Sequence, residues 1–253
     1  MELWTPEHAR SLIPSVLIML LAAVGLGLWL RKKPLSMRMI PLQICSVLLL
    51  LLEVGKQVLS LRRGYDLYHL PFHYCSLFLF ALPAMAFYRG KHRQSVNAVA
   101  TALCMALFLL MMIYPNLIYS ATDVVRYFED SFCFHTVTYH SLVVFCLFLI
   151  LTLGLYVPSS RKEHGAVLAL MGVFCAVSAS MAHILKTNYA NYYSCNIPVL
   201  ETVRLSVAEA VGNLPATLLY ILIVSALNVL FTWGAFALCR LISKLVHKKA
   251  AVH

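Results

Sequence analysis

Seven apolar stretches, at 11–30, 40–60, 69–88, 95–116, 134–156, 165–185 and 214–238, constrain this 253-residue chain more than any other feature. Each is near or above the roughly 20 residues an α-helix needs to cross a hydrocarbon core of about 30 Å. With 61% hydrophobic residues and a mean hydropathy of +0.82, they leave no room for a soluble domain. The expected fold is all-α, a polytopic bundle of about seven transmembrane helices forming one domain over 1–253. No internal repeat, low-complexity tract or linker divides it. The first stretch has no basic segment ahead of it and runs directly into Arg31, Lys32 and Lys33, which suits a retained helix better than a signal peptide.

The basic residues give an expected orientation. Arg31, Lys32, Lys33, Arg38, Arg89, Lys91, Arg93, Arg161, Lys162, Arg240, Lys244, Lys248 and Lys249 fall on one side, thirteen of the 20 Lys and Arg. The other side has fewer, diluted by acidic residues. The positive-inside rule then places the N-terminus outside and the C-terminus in the cytoplasm of a cell membrane. That assignment requires an odd number of spans, in agreement with seven. The net charge of +10 is accounted for by these cytoplasmic rims, so nucleic acid is not the expected partner. Two connections on the outer side are long, and 200–211 within the second reads either as an amphipathic helix lying on the interface, from its apolar spacing, or as an ordered loop.

Ionisable side chains inside apolar spans are costly, so they usually pair internally or serve a function. Here they are Glu53 and Lys56 in the second stretch, His69 and His73 in the third, His140 in the fifth and His183 in the sixth. All fall in the outer half of the membrane under the orientation above, which points to one polar site open toward the outer leaflet. Glu53 and Lys56, spaced i, i+3, share a helix face and read either as a neutralising pair or as groups that orient a histidine or receive a headgroup phosphate. Cys75 and His140 each sit about six residues, or about 9 Å, inside a helix that enters from the same side. A cysteine beside a histidine can attack an ester carbonyl as thiolate, with the imidazolium protonating the leaving oxygen. The bland alternative is a small apolar core thiol and an unrelated histidine. Read as one helix, residues 69–88 place His73 and Cys75 on opposite faces and His69 with His73 on the same one. A metal reading would need His69, His73, Glu53 and another histidine on one wall. No metal and no cofactor is expected.

The eight cysteines show no C-x-x-C pair. Cys45, Cys104, Cys146, Cys175 and Cys239 read as packing residues. Cys133 and Cys195 read as lying in the outer connections, where a bridge between them is one expectation.

The run Leu70-Pro71-Phe72-His73-Tyr74-Cys75-Ser76-Leu77 resembles the cysteine motif of the YwaF-like and transmembrane protein 164 family, with Glu53 at the family's spacing ahead of it. Thr138-Tyr139-His140-Ser141 resembles the family's histidine motif, and Thr187-Asn188-Tyr189 a third motif after the next helix. The matches cover roughly residues 45–195 in the right order. The resemblance implies an integral membrane acyltransferase in which a cysteine takes a fatty acyl chain as a thioester, assisted by a histidine, and hands it to a lysophospholipid. Those roles would fall on Cys75 and His140, with membrane phospholipids and lysophospholipids as partners, and the same acyl-enzyme would serve an acyl hydrolase. Glu53, Lys56, His73 and His183 would orient or bind, and Asn188 with Tyr189 would close the site or donate to an oxyanion. The alternative is a small-solute binding or transport protein with an outward-facing polar pocket. It lacks support from repeated halves. A third reading, an assembly factor, would leave Cys75 and His140 facing unrelated neighbours.

Overall fold

A computed structural model describes residues 3–158, 160 and 162–250, with side chains to 243. The described residues form nine α-helices and no strand. They are α1 (Pro6–Leu30), α2 (Leu35–Arg62), α3 (Phe78–Phe87), α4 (Arg93–Ile113), α5 (Ala121–Val125), α6 (Ser131–Thr152), α7 (Lys162–Leu185), α8 (Pro198–Val211) and α9 (Asn213–Ala250). Seven segments are long and apolar enough to span a membrane, so the chain is a polytopic all-α membrane protein.

Local signals set the helix ends. Thr5 caps α1, its hydroxyl accepting the His8 N–H while His8 reaches back to the Thr5 N–H, and Pro6 occupies the first turn. Pro34 separates α1 from α2. Asp130 caps α6 by accepting the Phe132 N–H at 2.8 Å. Gly212, at φ +90°, ends α8 and turns the chain into α9. The amphipathic segment expected at 200–211 is α8, a helix with none of its residues buried and with Val199, Leu200 and Val203 exposed.

α4 is the centre of the bundle. In its apolar stretch 61% of the residues are buried, against 6% in α9. Without a hydrophobic force between helices in lipid, close packing has to hold them together, and small residues permit it. Ala98, Ala100, Ala102, Cys104 and Ala106 are buried all round α4. At the α1–α6 contact a Cβ on Gly27 would lie 2.9 Å from the Thr152 carbonyl oxygen, so a larger residue would force the two helices apart.

Two expectations need correction. The third span is not one helix over 69–88. Only Phe78–Phe87 is α-helical, preceded by single 3₁₀ turns at Leu67–His69 and Tyr74–Leu77 joined through extended backbone. The second concerns Cys133 and Cys195. Both carry free thiols, as do the other six cysteines, and Cys133 lies in the first turn of α6 rather than in a connection.

Candidate functional site

Residues 63–77 fail to form a helix for readable reasons. Gly64, at φ +81°, turns the chain after α2. Asp66 then captures the Tyr68 N–H at 2.9 Å and starts a tight turn. Pro71 disfavours helical backbone at Leu70, which is extended at φ −64°, ψ 149°. His73 is also extended, at φ −83°, ψ 158°. Irregular backbone at membrane depth survives only where its polar groups find partners within the protein. Five carbonyls of this segment take a side-chain donor. Leu67 accepts from the Tyr189 hydroxyl, Tyr68 from His73 Nε2 at 2.9 Å, and His69 from Gln57 Nε2 at 2.8 Å. Phe72 accepts from the Ser178 hydroxyl at 2.8 Å and Cys75 from the Tyr139 hydroxyl at 3.1 Å. Donors from α2, α6, α7 and the 186–197 loop thus hold the segment in place. Burial pushes the Tyr65 and Tyr189 phenols up from their ordinary range, so both remain hydroxyl donors.

This segment roofs a cavity of about 330 Å³ between α2, α4, α6 and α9. Of the residues singled out from sequence, Glu53, Lys56, His73, Cys75, His140 and Asn188 line it, as do His69 and His135. Tyr189 and His183 do not. Tyr189 is fully buried behind the wall, its ring edge-on to His73 at 5.2 Å. His183 packs against Tyr193 at 5.7 Å. Asn188 faces the cavity, with its amide engaged in the loop. Its nitrogen donates to Asn196 at 3.0 Å, and its oxygen accepts the N–H groups of Tyr193 and Ser194. Asn188 therefore helps build the loop, and the Tyr189 hydroxyl is spent on the Leu67 carbonyl. Ala190 and Asn191, with φ of 47° and 64°, pass through the left-handed region where this loop meets the cavity.

One carboxylate organises the polar wall. Glu53 Oε1 takes Lys56 Nζ at 2.7 Å and Gln57 Nε2 at 2.7 Å, and Oε2 lies 3.4 Å from His135 Nε2. Gln57 continues outward, its oxygen accepting the Tyr65 hydroxyl at 2.9 Å. The Glu53–Lys56 pair neutralises two charges that would otherwise be costly at this depth. Leu107, Leu110, Leu117, Ile118 and Phe231 give the cavity an apolar part as well. A ligand with a polar end and a hydrocarbon end suits that division.

His140 Nδ1 lies 2.7 Å from the Thr136 carbonyl oxygen. A carbonyl only accepts, so Nδ1 carries the proton and Nε2 is the basic nitrogen. Cys75 sits in the 3₁₀ turn that opens into α3, not midway along a helix. Unpaired N–H groups at such an opening favour negative charge developing nearby. The structure brings Cys75 and His140 to one cavity, although no hydrogen bond joins them among the described residues. Among those residues no group of three or more His, Cys, Asp or Glu is arranged to hold a metal ion.

Sequence reasoning gave no role to Gln57, Tyr139 or Ser178. Gln57 lies one turn beyond Glu53 on the same face, a legible signal. Ser178, with its hydroxyl on a carbonyl 106 residues away, has no local signature.

A family model, the TMEM164 family, matches residues 3–238. The chain belongs to that family. The match runs from the start of α1 almost to the end of the α9 span, so every element around the cavity of this TMEM164-family protein lies within it. No curated protein and no solved structure matches the chain.

Proposed function

We propose that the protein is a membrane-embedded lipid acyltransferase, kin also to the YwaF-like bacterial proteins, that works from the leaflet facing the cavity. The Lys and Arg asymmetry makes that the outer leaflet of a cell membrane. One observation carries the reading: a thiol at a helix opening and an imidazole with a committed tautomer line the same half-polar, half-apolar cavity within the membrane.

In the first half-reaction Cys75 Sγ attacks the ester carbonyl of a phospholipid, and its proton passes to His140 Nε2. The C–O bond then breaks, and His140 returns that proton to the departing glycerol oxygen, leaving an acyl thioester and a lysophospholipid. In the second, the hydroxyl of an acceptor lysophospholipid loses its proton to His140 and attacks the thioester. The C–S bond breaks and the thiol is restored. Water in place of the acceptor gives hydrolysis. N–H groups at the opening of the Tyr74–Leu77 turn would donate to the tetrahedral oxyanion. Lys56, anchored by Glu53, is positioned for a headgroup phosphate. The missing Cys75–His140 bond fits a site whose catalytic hydrogen bonds tighten when substrate enters.

The test is acyl exchange in vesicles holding the purified protein, a labelled phospholipid and a lysophospholipid. Cys75→Ala should abolish transfer and Cys75→Ser should leave little. Full turnover by Cys75→Ala would sink the assignment and favour a solute-binding pocket.

A further inference from the structure

Tyr139 stands immediately before His140 on α6 and is 2% exposed. Its hydroxyl donates to the Cys75 carbonyl at 3.1 Å. Its ring stacks on His135 at 5.3 Å and 25°, and His135 faces Glu53 Oε2 at 3.4 Å. The same ring meets His140 edge-on at 5.6 Å. One side chain therefore touches the turn that carries the thiol, the helix that carries the imidazole and the ring paired with the carboxylate.

The Cys75 carbonyl does not need this bond for satisfaction. It already accepts the Phe78 N–H that closes the 3₁₀ turn. The phenol adds direction. The turn is entered through extended backbone at His73, whose own ring is tied to Tyr68 and not to α6. The hydrogen bond from Tyr139 joins the Tyr74–Leu77 turn to α6. Reactions of this kind lose rate steeply when the reacting groups shift by a fraction of an ångström to an ångström.

We propose, resting on the acyl-transfer reading, that Tyr139 is a positioning residue whose hydroxyl ties the Cys75 turn to the His140 helix and sets how the thiol faces the base. Tyr139→Phe keeps the buried ring and leaves the carbonyl with one partner, so the variant should fold. In the vesicle assay with full-length protein, it should lower kcat about tenfold or more while KM stays within about twofold. Thermal unfolding in detergent should be little changed. Replacement of Tyr139 by p-aminophenylalanine, which restores an N–H donor at the same place, should recover most of kcat. An unchanged kcat, a change confined to KM, or no recovery with the restored donor overturns the proposal. Should Tyr139→Phe fail to fold, 3,5-difluorotyrosine at the same position keeps shape and hydroxyl but alters the donor. A changed kcat then supports the tether, and an unchanged one overturns it. Cys75→Ala, run in parallel, separates the two failures. Turnover persisting there overturns the acyl-transfer reading itself, whereas its loss alongside a wild-type rate for Tyr139→Phe overturns the tether alone.

Discussion

α4 and the span that ends in α3 are neighbours of the same length, 21 residues each, yet they solve the membrane problem in opposite ways. α4 runs as one continuous helix from Arg93 to Ile113 and packs closely through its alanines. The preceding span is helical only over its second half, and its first half relies on side chains of four other elements to occupy its carbonyls. The helix gives a dense core and lends only apolar side chains, Ala106, Leu107 and Leu110, to the cavity. The unwound half gives a cavity with a thiol, histidines and a carboxylate on its walls. An unwound segment inside a membrane protein is therefore a place where backbone demand and site chemistry converge.

The largest effect that would sharpen this contrast is chemical. Cys75→Ala should reduce lipid turnover by at least about 10³-fold with folding intact, because loss of a nucleophile removes the whole covalent route. Vesicle assays with detergent-phase unfolding as a control measure both. Next comes packing. Ala102→Leu, in the fully buried wall of α4, should cost about 2 kcal/mol of stability by overpacking, read as a lower thermal midpoint. Replacing a cavity-facing residue of similar size should cost less, and equal costs would erase the distinction between the two spans. Ser178→Ala removes the donor to the Phe72 carbonyl and should cost about 1 kcal/mol. Its activity should fall more than its stability if the segment's placement matters to chemistry.

The smallest effect lies outside both spans. Hydrogen bonds from Arg204, and one from the Cys195 N–H, hold the Glu201 carboxyl below the usual glutamate range. A depressed folded value means this contribution is complete above about pH 4.3 and is lost as pH falls through the folded value. For an interfacial pair it amounts to less than about 1 kcal/mol. Glu201→Gln should therefore flatten the acid limb of unfolding slightly and leave neutral-pH stability nearly unchanged.

Much of the site was readable one residue at a time. Glu53, Lys56, His73, Cys75 and His140 stand out because ionisable or nucleophilic groups are rare in apolar runs, and all five line the cavity. Their relations were less readable. A uniform helix over 69–88 placed His73 and Cys75 on opposite faces, whereas extended backbone at Leu70 and His73 lets both border one space. Pro71 and Gly64 signalled that break, but hydropathy averages across it. Asn188 and Tyr189 attract notice by their motif, yet much of their hydrogen bonding goes into shaping a loop. Side-chain bonds between distant residues leave no periodicity to detect.

What the chain alone settled is its class: apolar runs of span length make seven membrane-crossing segments, because hydrocarbon tolerates no unpaired backbone. What three-dimensional packing decided is where helix gives way to irregular backbone, and which donors then make that break affordable. That choice depends on contacts among α2, α6, α7 and a loop far apart in sequence, and such contacts exist only once the bundle has closed.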